Sequence, residues 1–162
     1  MILVTVGTHT QNFTRLVKAV DDLVGSGKLK DKVVIQTGYT NYKPKNCKWF
    51  AFKPLDEFEK LCNKSDIIIS HGGVGSIMLP LLLGKPLIVM PRLKKFKEHT
   101  DDHQLQIVQE LEKQKKIIAV YDVKNLILSI KKAKRFKPKR LQRESRISAI
   151  IENYLKKQEG KA

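Results

Sequence analysis

The chain is 162 residues long and carries 32 Lys and Arg against 16 Asp and Glu, a formal net charge of +16. With 41% hydrophobic residues, 9 Gly and 6 Pro, it has the composition of one packed globular domain, which excludes a collagenous or disordered chain. No stretch reaches the roughly 20 apolar residues of a membrane-spanning helix; the most apolar one, Ile77 to Pro91, is broken by Gly84-Lys85-Pro86.

The chain opens on the strand-like run Ile2 to Val6, without the basic start and small-residue cleavage site of a secretion signal. Cys47 and Cys62 lack CxxC spacing, so neither a disulfide framework nor a zinc site is expected. Phe13, Leu16, Val17, Val20, Leu23 and Val24 then share one helix face, with Asn12 as the expected N-cap and Gly25 as the stop. Residues 33–36 and 48–52 read as strands, and a helix is expected from Pro54 to Asn63.

Ile67-Ile68-Ile69 and Leu87 to Met90 are apolar enough to be buried on both faces of a parallel sheet, with a helix from about Gly75 to Leu83 between them. A further helix is expected over Asp102 to Lys115 and a last strand over Ile117 to Val120. Asp122 then caps a helix carrying Val123, Leu126, Ile127 and Ile130. Leu141, Ile147, Ile150, Ile151, Tyr154 and Leu155 suggest a terminal amphipathic helix that packs back on the sheet. Repeated β-α units of this kind imply an α/β, Rossmann-like, open and mostly parallel sheet with helices on both faces. Ligands of such sheets bind outside the carboxyl ends of the strands, here the loops at 7–12, 71–76 and 91–104.

Three of these loops carry candidate chemistry. In Ser70-His71-Gly72-Gly73-Val74-Gly75-Ser76 a buried strand runs through a glycine turn into a helix, which offers free N–H groups and a positive helix end to an anion. The alternative is simple tight packing, and the segment is neither GxGxxG nor a Walker loop. In Gly7-Thr8-His9-Thr10-Gln11, Gly7 allows close backbone approach, and His9 is the one candidate acid or base, against the alternative of a loop histidine fixing local hydrogen bonds. Residues 91–104 hold Arg92, His99, Thr100, Asp101, Asp102, His103 and Gln104. His99 and His103 stand four apart, but no third ligand accompanies them and no metal is expected. Asp101 or Thr100 would cap the helix there, with His103 and Gln104 directed at the ligand cleft.

Charge concentrates at the other end of the chain, where residues 124–162 carry 13 Lys and Arg against 3 Glu. Its densest part holds Lys131, Lys132, Lys134, Arg135, Lys137, Lys139 and Arg140. Such a run suits nucleic acid, an anionic membrane face or an acidic partner, or it is a solvated connector. Nucleic acid is disfavoured, because the few aromatics do not interleave with the basic run as stacking platforms.

Several motifs together carry a resemblance: Val4-Thr5-Val6-Gly7-Thr8-His9 with Gln11, Phe13 and Arg15-Leu16-Val17, Ile35-Gln36-Thr37-Gly38-Tyr39, Ser70-His71-Gly72-Gly73, Gly84-Lys85-Pro86, Pro91-Arg92, Glu98-His99 and Asp102-His103-Gln104. From Met1 to about Ile130 the chain resembles the PssE/EpsF-like exopolysaccharide glycosyltransferase subunits. These are similar in turn to the C-terminal half of MurG-type enzymes and to the catalytic subunit of the two-part GlcNAc transferase of the dolichol pathway. The resemblance implies one half of a GT-B fold in residues 1–130; charge and apolar spacing make 131–162 a basic connector and an amphipathic helix packed on the same domain. The resemblance also implies a donor-binding subunit, active with a PssD-like membrane-anchored partner, that moves a sugar from a UDP-sugar to a polyprenyl-diphosphate-linked acceptor by inverting transfer, at the cytoplasmic membrane face and without a metal or other cofactor. Gly7, Thr8, His71, Gly72, Gly73, Gly75, Ser76, Arg92, His99, Asp102, His103 and Gln104 would bind the nucleotide-sugar, and the basic run would touch anionic lipid, the acceptor diphosphate or the partner. One departure stands out: Leu79 occupies the position of the glutamate that accepts the ribose hydroxyls, which leaves that role to Asp101 or Asp102, or leaves affinity weak, or makes the chain a silent scaffold.

Overall fold

A computed structural model describes residues 1–138. The elements alternate as β1 (Ile2–Thr5), α1 (Thr14–Gly25), β2 (Val33–Gln36), β3 (Lys48–Phe50), α2 (Leu55–Lys64), β4 (Ile67–His71), α3 (Val74–Leu82), β5 (Leu87–Met90), α4 (His103–Lys113), β6 (Ile118–Ala119) and α5 (Leu126–Ala133). Six strands form one sheet in the order β3-β2-β1-β4-β5-β6, and every pairing is parallel. This is the doubly wound Rossmann arrangement, in which strand order reverses between β1 and β4.

The β-branched runs explain why the strands sit inside. Ile2 and Val4 of β1 pack with Ile67 and Ile69 on a face covered by α1 and α5, while Leu3 and Ile68 turn to the face covered by α2, α3 and α4. Strand alternation thus buries both faces, and each such aliphatic side chain stabilises the fold by about 1.5–3 kcal/mol. Val4 stands in register with Ile35 on one side and Ile69 on the other, which brings the loops after β1, β2 and β4 to one edge.

Several boundaries differ from the sequence reading for local reasons. Helix α1 starts at Thr14 with Phe13 at the N-cap and no side-chain cap. Asn12 is not that cap, because its Oδ1 accepts from the Asn41 N–H at 2.7 Å and ties two loops together. Strand β3 stops at Phe50, α4 begins at His103, and α4 ends at Lys113 ahead of Lys115, whose φ is +57°. Asp122 does cap, accepting from the Lys124 N–H at 2.9 Å above a short 3-10 turn that leads into α5. Lys131 and Lys132 belong to the last turn of α5, so the expected boundary at residue 130 falls inside a helix. Lys139, Arg140 and the expected terminal helix lie outside the described residues. Among the described residues no helix is long and apolar enough to cross a membrane.

Candidate functional site

At the reversal between β1 and β4 the following loops diverge and leave a cleft of about 690 Å³. Gly7, Thr8, His9 and Thr10 form one wall, His71, Gly73, Gly75 and Ser76 the floor, and His99 and Gln104 the far side. Among the described residues no carboxylate lines it. Helix α3 enters from below with Gly73 at its N-cap, no side-chain cap and no acidic residue in its first turn. Its N-terminal partial positive charge is therefore left for a ligand.

Two glycines are required by the His71 imidazole, which is 6% exposed and wedged beneath the turn. A Cβ on Gly7, where φ is +73°, would lie 2.5 Å from His71 Cε1, and one on Gly73 would collide with His71 Nε2. Burial, reinforced by the Arg92 charge and opposed by the Thr5 backbone, pushes the His71 pKa down to about 3, so the ring is neutral near pH 7. Its Nδ1 is buried without a hydrogen bond of normal geometry.

Glutamine amides hold the loops on both sides. Gln36, at the end of β2, accepts from Thr5 Oγ1 at 2.6 Å and the Gly7 N–H at 3.1 Å, while its Nε2 donates to the carbonyls of Gly7 at 2.8 Å and Ala51 at 3.3 Å. Gln104, in the first turn of α4, accepts from the N–H groups of Gly72 at 3.0 Å and Arg92 at 3.1 Å. Gln104 lines the cleft as expected, but its oxygen is already engaged. Gly72 is buried beneath it and supplies an N–H to the amide rather than to the cleft. Gln36 was not among the residues singled out for the site. The available signal is a lone amide closing the otherwise apolar β2.

Arg92 corrects a larger expectation. It does not reach a ligand, being 0% exposed, with NH1 donating to the carbonyls of Gln11 at 2.8 Å and Glu98 at 3.1 Å and NH2 to that of Val6 at 2.8 Å. The guanidinium also lies 4.8 Å from the Phe13 ring centroid. Burial lowers its pKa to about 10 against the raising effect of Glu98. It remains charged and joins the loops after β1 and β5. Glu98, also buried, takes a two-pronged ion pair from Arg15 with both contacts at 2.8 Å and accepts from the Leu93 N–H.

The acidic and histidine residues before α4 are more local. Asp101 Oδ1 lies 3.2 Å from His99 Nδ1 and 2.9 Å from His103 Nδ1, and it accepts from the His103 N–H in a local turn; it is not the expected cap, because the N-cap of α4 is Asp102 and that helix has no side-chain cap. Burial pushes the Asp101 pKa up, but His103 and His99 together hold it below the usual carboxylate range. Asp102 accepts from the Lys94 N–H, and neither Asp102 nor the half-exposed His103 lines the cleft. Among the described residues no group of three or more His, Cys, Asp or Glu is gathered as a metal site. His9 does line the cleft, with its ring centroid 4.9 Å from that of His99. Burial, His99 and Arg92 lower its pKa, with Asp101 opposing.

Comparison with known proteins decides the family. The chain matches the glycosyltransferase family 28 C-terminal domain over residues 1–159. It belongs to that family. It is 37% identical over 89 residues to the UDP-N-acetylglucosamine transferase subunit ALG13 of Candida albicans, a match covering 55% of this chain and 29% of that protein. Against the subunit of the same name in Homo sapiens it is 29% identical over 120 residues, covering 70% of this chain and 10% of that protein. The chain thus spans a third or less of these two relatives. Among solved structures, the NMR structure of ALG13 superposes with a TM-score of 0.57 at 22% identity over 85% of this chain and 87% of that one. The glycotransferase of kitacinnamycin superposes with a TM-score of 0.63 at 18% identity over 82% of this chain and 34% of that one. The fold is the Rossmann-like half of a GT-B glycosyltransferase.

In this family 28 domain a second, more apolar cavity of about 190 Å³ adjoins the cleft through Gly7, Thr8 and Ser76 and is walled by Phe50, Phe52, Leu55 and Phe58. Leu79 lies one turn beyond Ser76, partly buried against the α2, α3 and α4 core. Asp101 and Asp102 line neither cavity, so the structure does not transfer to them the role that Leu79 cannot fill. The described part of the basic run also lies away from the cleft. Lys134 pairs with Asp31 at 2.8 Å and borders a depression shared with Ile2, Ile67 and Pro86, at the amino ends of β1, β4 and β5. Lys131, Lys132, Lys134 and Arg135 line one surface there, so they are not placed to touch an acceptor diphosphate in the cleft.

Proposed function

We propose that this domain is the donor half of a two-part glycosyltransferase, binding a UDP-sugar at the β1/β4 reversal. The observation that carries the reading is the cleft itself: glycine turns, hydroxyls and the uncapped N-terminus of α3 converge on a space free of carboxylates, which suits a diphosphate. The apolar cavity next to it suits a flat base against Phe50, Phe52 and Phe58. In the transfer, an acceptor hydroxyl attacks the anomeric carbon as its bond to the β-phosphate oxygen breaks, inverting the centre. The free N–H groups of α3 and the Ser76 hydroxyl then stabilise the leaving UDP. One sheet supplies one wall, so the acceptor wall and the base that takes the hydroxyl proton belong to a PssD-like, membrane-anchored partner. The acceptor is a polyprenyl-diphosphate-linked sugar in exopolysaccharide assembly at the cytoplasmic membrane face, with the basic pole near anionic lipid.

The ALG13 relatives make UDP-N-acetylglucosamine the first donor to test. UDP and UDP-N-acetylglucosamine are expected to raise the melting temperature saturably, and co-expression with the partner is expected to yield donor-dependent UDP release that Ser76→Ala reduces. Absence of both effects rejects the reading. Binding of UDP without release, in the presence of the partner, favours the scaffold reading that Leu79 supports.

A further inference from the structure

The cleft and the apolar cavity meet at a seam made by Gly7, Thr8 and Ser76, the residues that line both. A nucleoside diphosphate with its base in the cavity and its diphosphate in the cleft carries its pentose across that seam, because the pentose is the link between the two. The groups around the seam therefore decide whether the pentose hydroxyls are recognised.

The strong acceptors near the seam are already committed. Gln36 Oε1 takes the Thr5 hydroxyl and the Gly7 N–H, and Gln36 Nε2 donates to the carbonyls of Gly7 and Ala51. Lys53 lines the cavity and pairs with Glu57, whose carboxylate lines neither space. One turn beyond Ser76, on the same side of α3, stands Leu79, partly buried against the core and outside both linings. Among the described residues, the seam thus offers a pentose the backbone of Gly7 and two neutral hydroxyls. A hydroxyl rotates to donate or accept as its neighbour requires. Such a neutral bond adds a few-fold to affinity, whereas bonds to a carboxylate add roughly tenfold or more.

The wall of the base cavity adds to this. Phe50, Phe52, Leu55 and Phe58 are apolar, so a methyl group on a pyrimidine ring gains contact there and leaves no polar group unpaired.

We infer that this site does not read the 2′-hydroxyl of its nucleotide, and that thymidine diphosphate and its sugars are a ligand class for it alongside UDP. This rests on the donor-site reading above and widens its substrate class. A site built to hydrogen-bond a substrate hydroxyl rejects the analogue lacking it by orders of magnitude, and a site without that partner has no means to do so.

The test is calorimetric titration of the full chain with UDP, 2′-deoxy-UDP and thymidine diphosphate. The second differs from UDP in that hydroxyl alone, and the third adds the ring methyl. Both deoxynucleotides are expected to bind within about tenfold of UDP or more tightly, the limit set by the loss of a charged hydrogen bond. A larger preference for UDP over either one overturns the inference and leaves the donor site standing. No binding by any of the three overturns the donor site and this inference together. Leu79→Glu brings a carboxylate within reach of the seam and is expected to create a preference of about tenfold or more for UDP over 2′-deoxy-UDP. Equal binding of the two by the folded variant places the pentose elsewhere and overturns the inference. The wild-type comparison decides the question even if that variant fails to fold.

Discussion

At the carboxyl ends of the strands, Gln36, Arg92, Glu98 and Gln104 are buried and tie neighbouring loops together, Arg92 and the Gln36 amide nitrogen donating to backbone carbonyls, and Gln36, Gln104 and Glu98 accepting from backbone N–H groups. At the amino ends, Lys28, Lys30, Lys32, Lys64, Lys115, Lys134 and Arg135 lie exposed on the connections that enter β2, β4 and β6 and on the end of α5. There the recorded ion pairs are peripheral, Lys134 with Asp31 and the N-terminal ammonium with Asp66. The contrast is one of cost. Burying a charge or an amide is unfavourable unless it is fully bonded, so such groups accumulate where loop geometry must be fixed. Exposed cations cost little and fix nothing, which leaves that end free to evolve charge without disturbing the cleft.

Five substitutions or conditions break the contrast, the four on stability in falling order of effect and the last on vesicle retention. Arg92→Met removes the donor from at least three buried carbonyls, so unfolding free energy in urea is expected to drop by about 3–5 kcal/mol. Gly73→Ala forces its Cβ onto His71. A loss of about 1–3 kcal/mol is expected, together with weaker UDP binding than wild type by thermal shift.

The third is a pH effect. His71 has a folded pKa of about 3 against 6.5 unfolded, so the unfolded chain binds a proton that the folded chain refuses between those values. Stability is therefore full above pH 6.5 and falls as pH drops toward 3, by about 1.4 kcal/mol per pH unit from this group. Urea melts at pH 7 and pH 5 should show that slope, and His71→Gln should flatten it. Last, Lys134→Ala breaks a half-exposed pair and should change stability by less than about 1 kcal/mol. It should also leave UDP binding unchanged, whereas reversing Lys131, Lys132 and Arg135 to Glu should reduce retention on anionic but not zwitterionic vesicles.

The sheet was legible because its signal is simple. Runs such as Ile67-Ile68-Ile69 and Leu87 to Met90 are apolar at every position, a pattern that only a strand buried on both faces requires. The glycine turn after β4 was legible for a related reason, since a strand running through two glycines into a helix has few uses. Asn12 and Arg92 were read wrongly because a side chain's partner can lie far along the chain. Asn12 prefers Asn41 to its own helix, and Arg92 reaches back to Val6 and Gln11 across the sheet. The family resemblance implies that Arg92 binds the nucleotide-sugar, but burial has committed it to backbone carbonyls.

The two glutamines also explain why an amide, and not a carboxylate, closes each loop. A glutamate at 104 would still accept from the N–H groups of Gly72 and Arg92, yet it would set a full negative charge on the rim of a cleft that otherwise has none. At 36 the same change would face the carbonyl oxygens of Gly7 and Ala51 with a group unable to donate. Slow hydrolysis of either amide to its acid would therefore age the protein differently: at 36 by loosening the loop after β1, and at 104 by turning away anions from a cleft whose shape is intact.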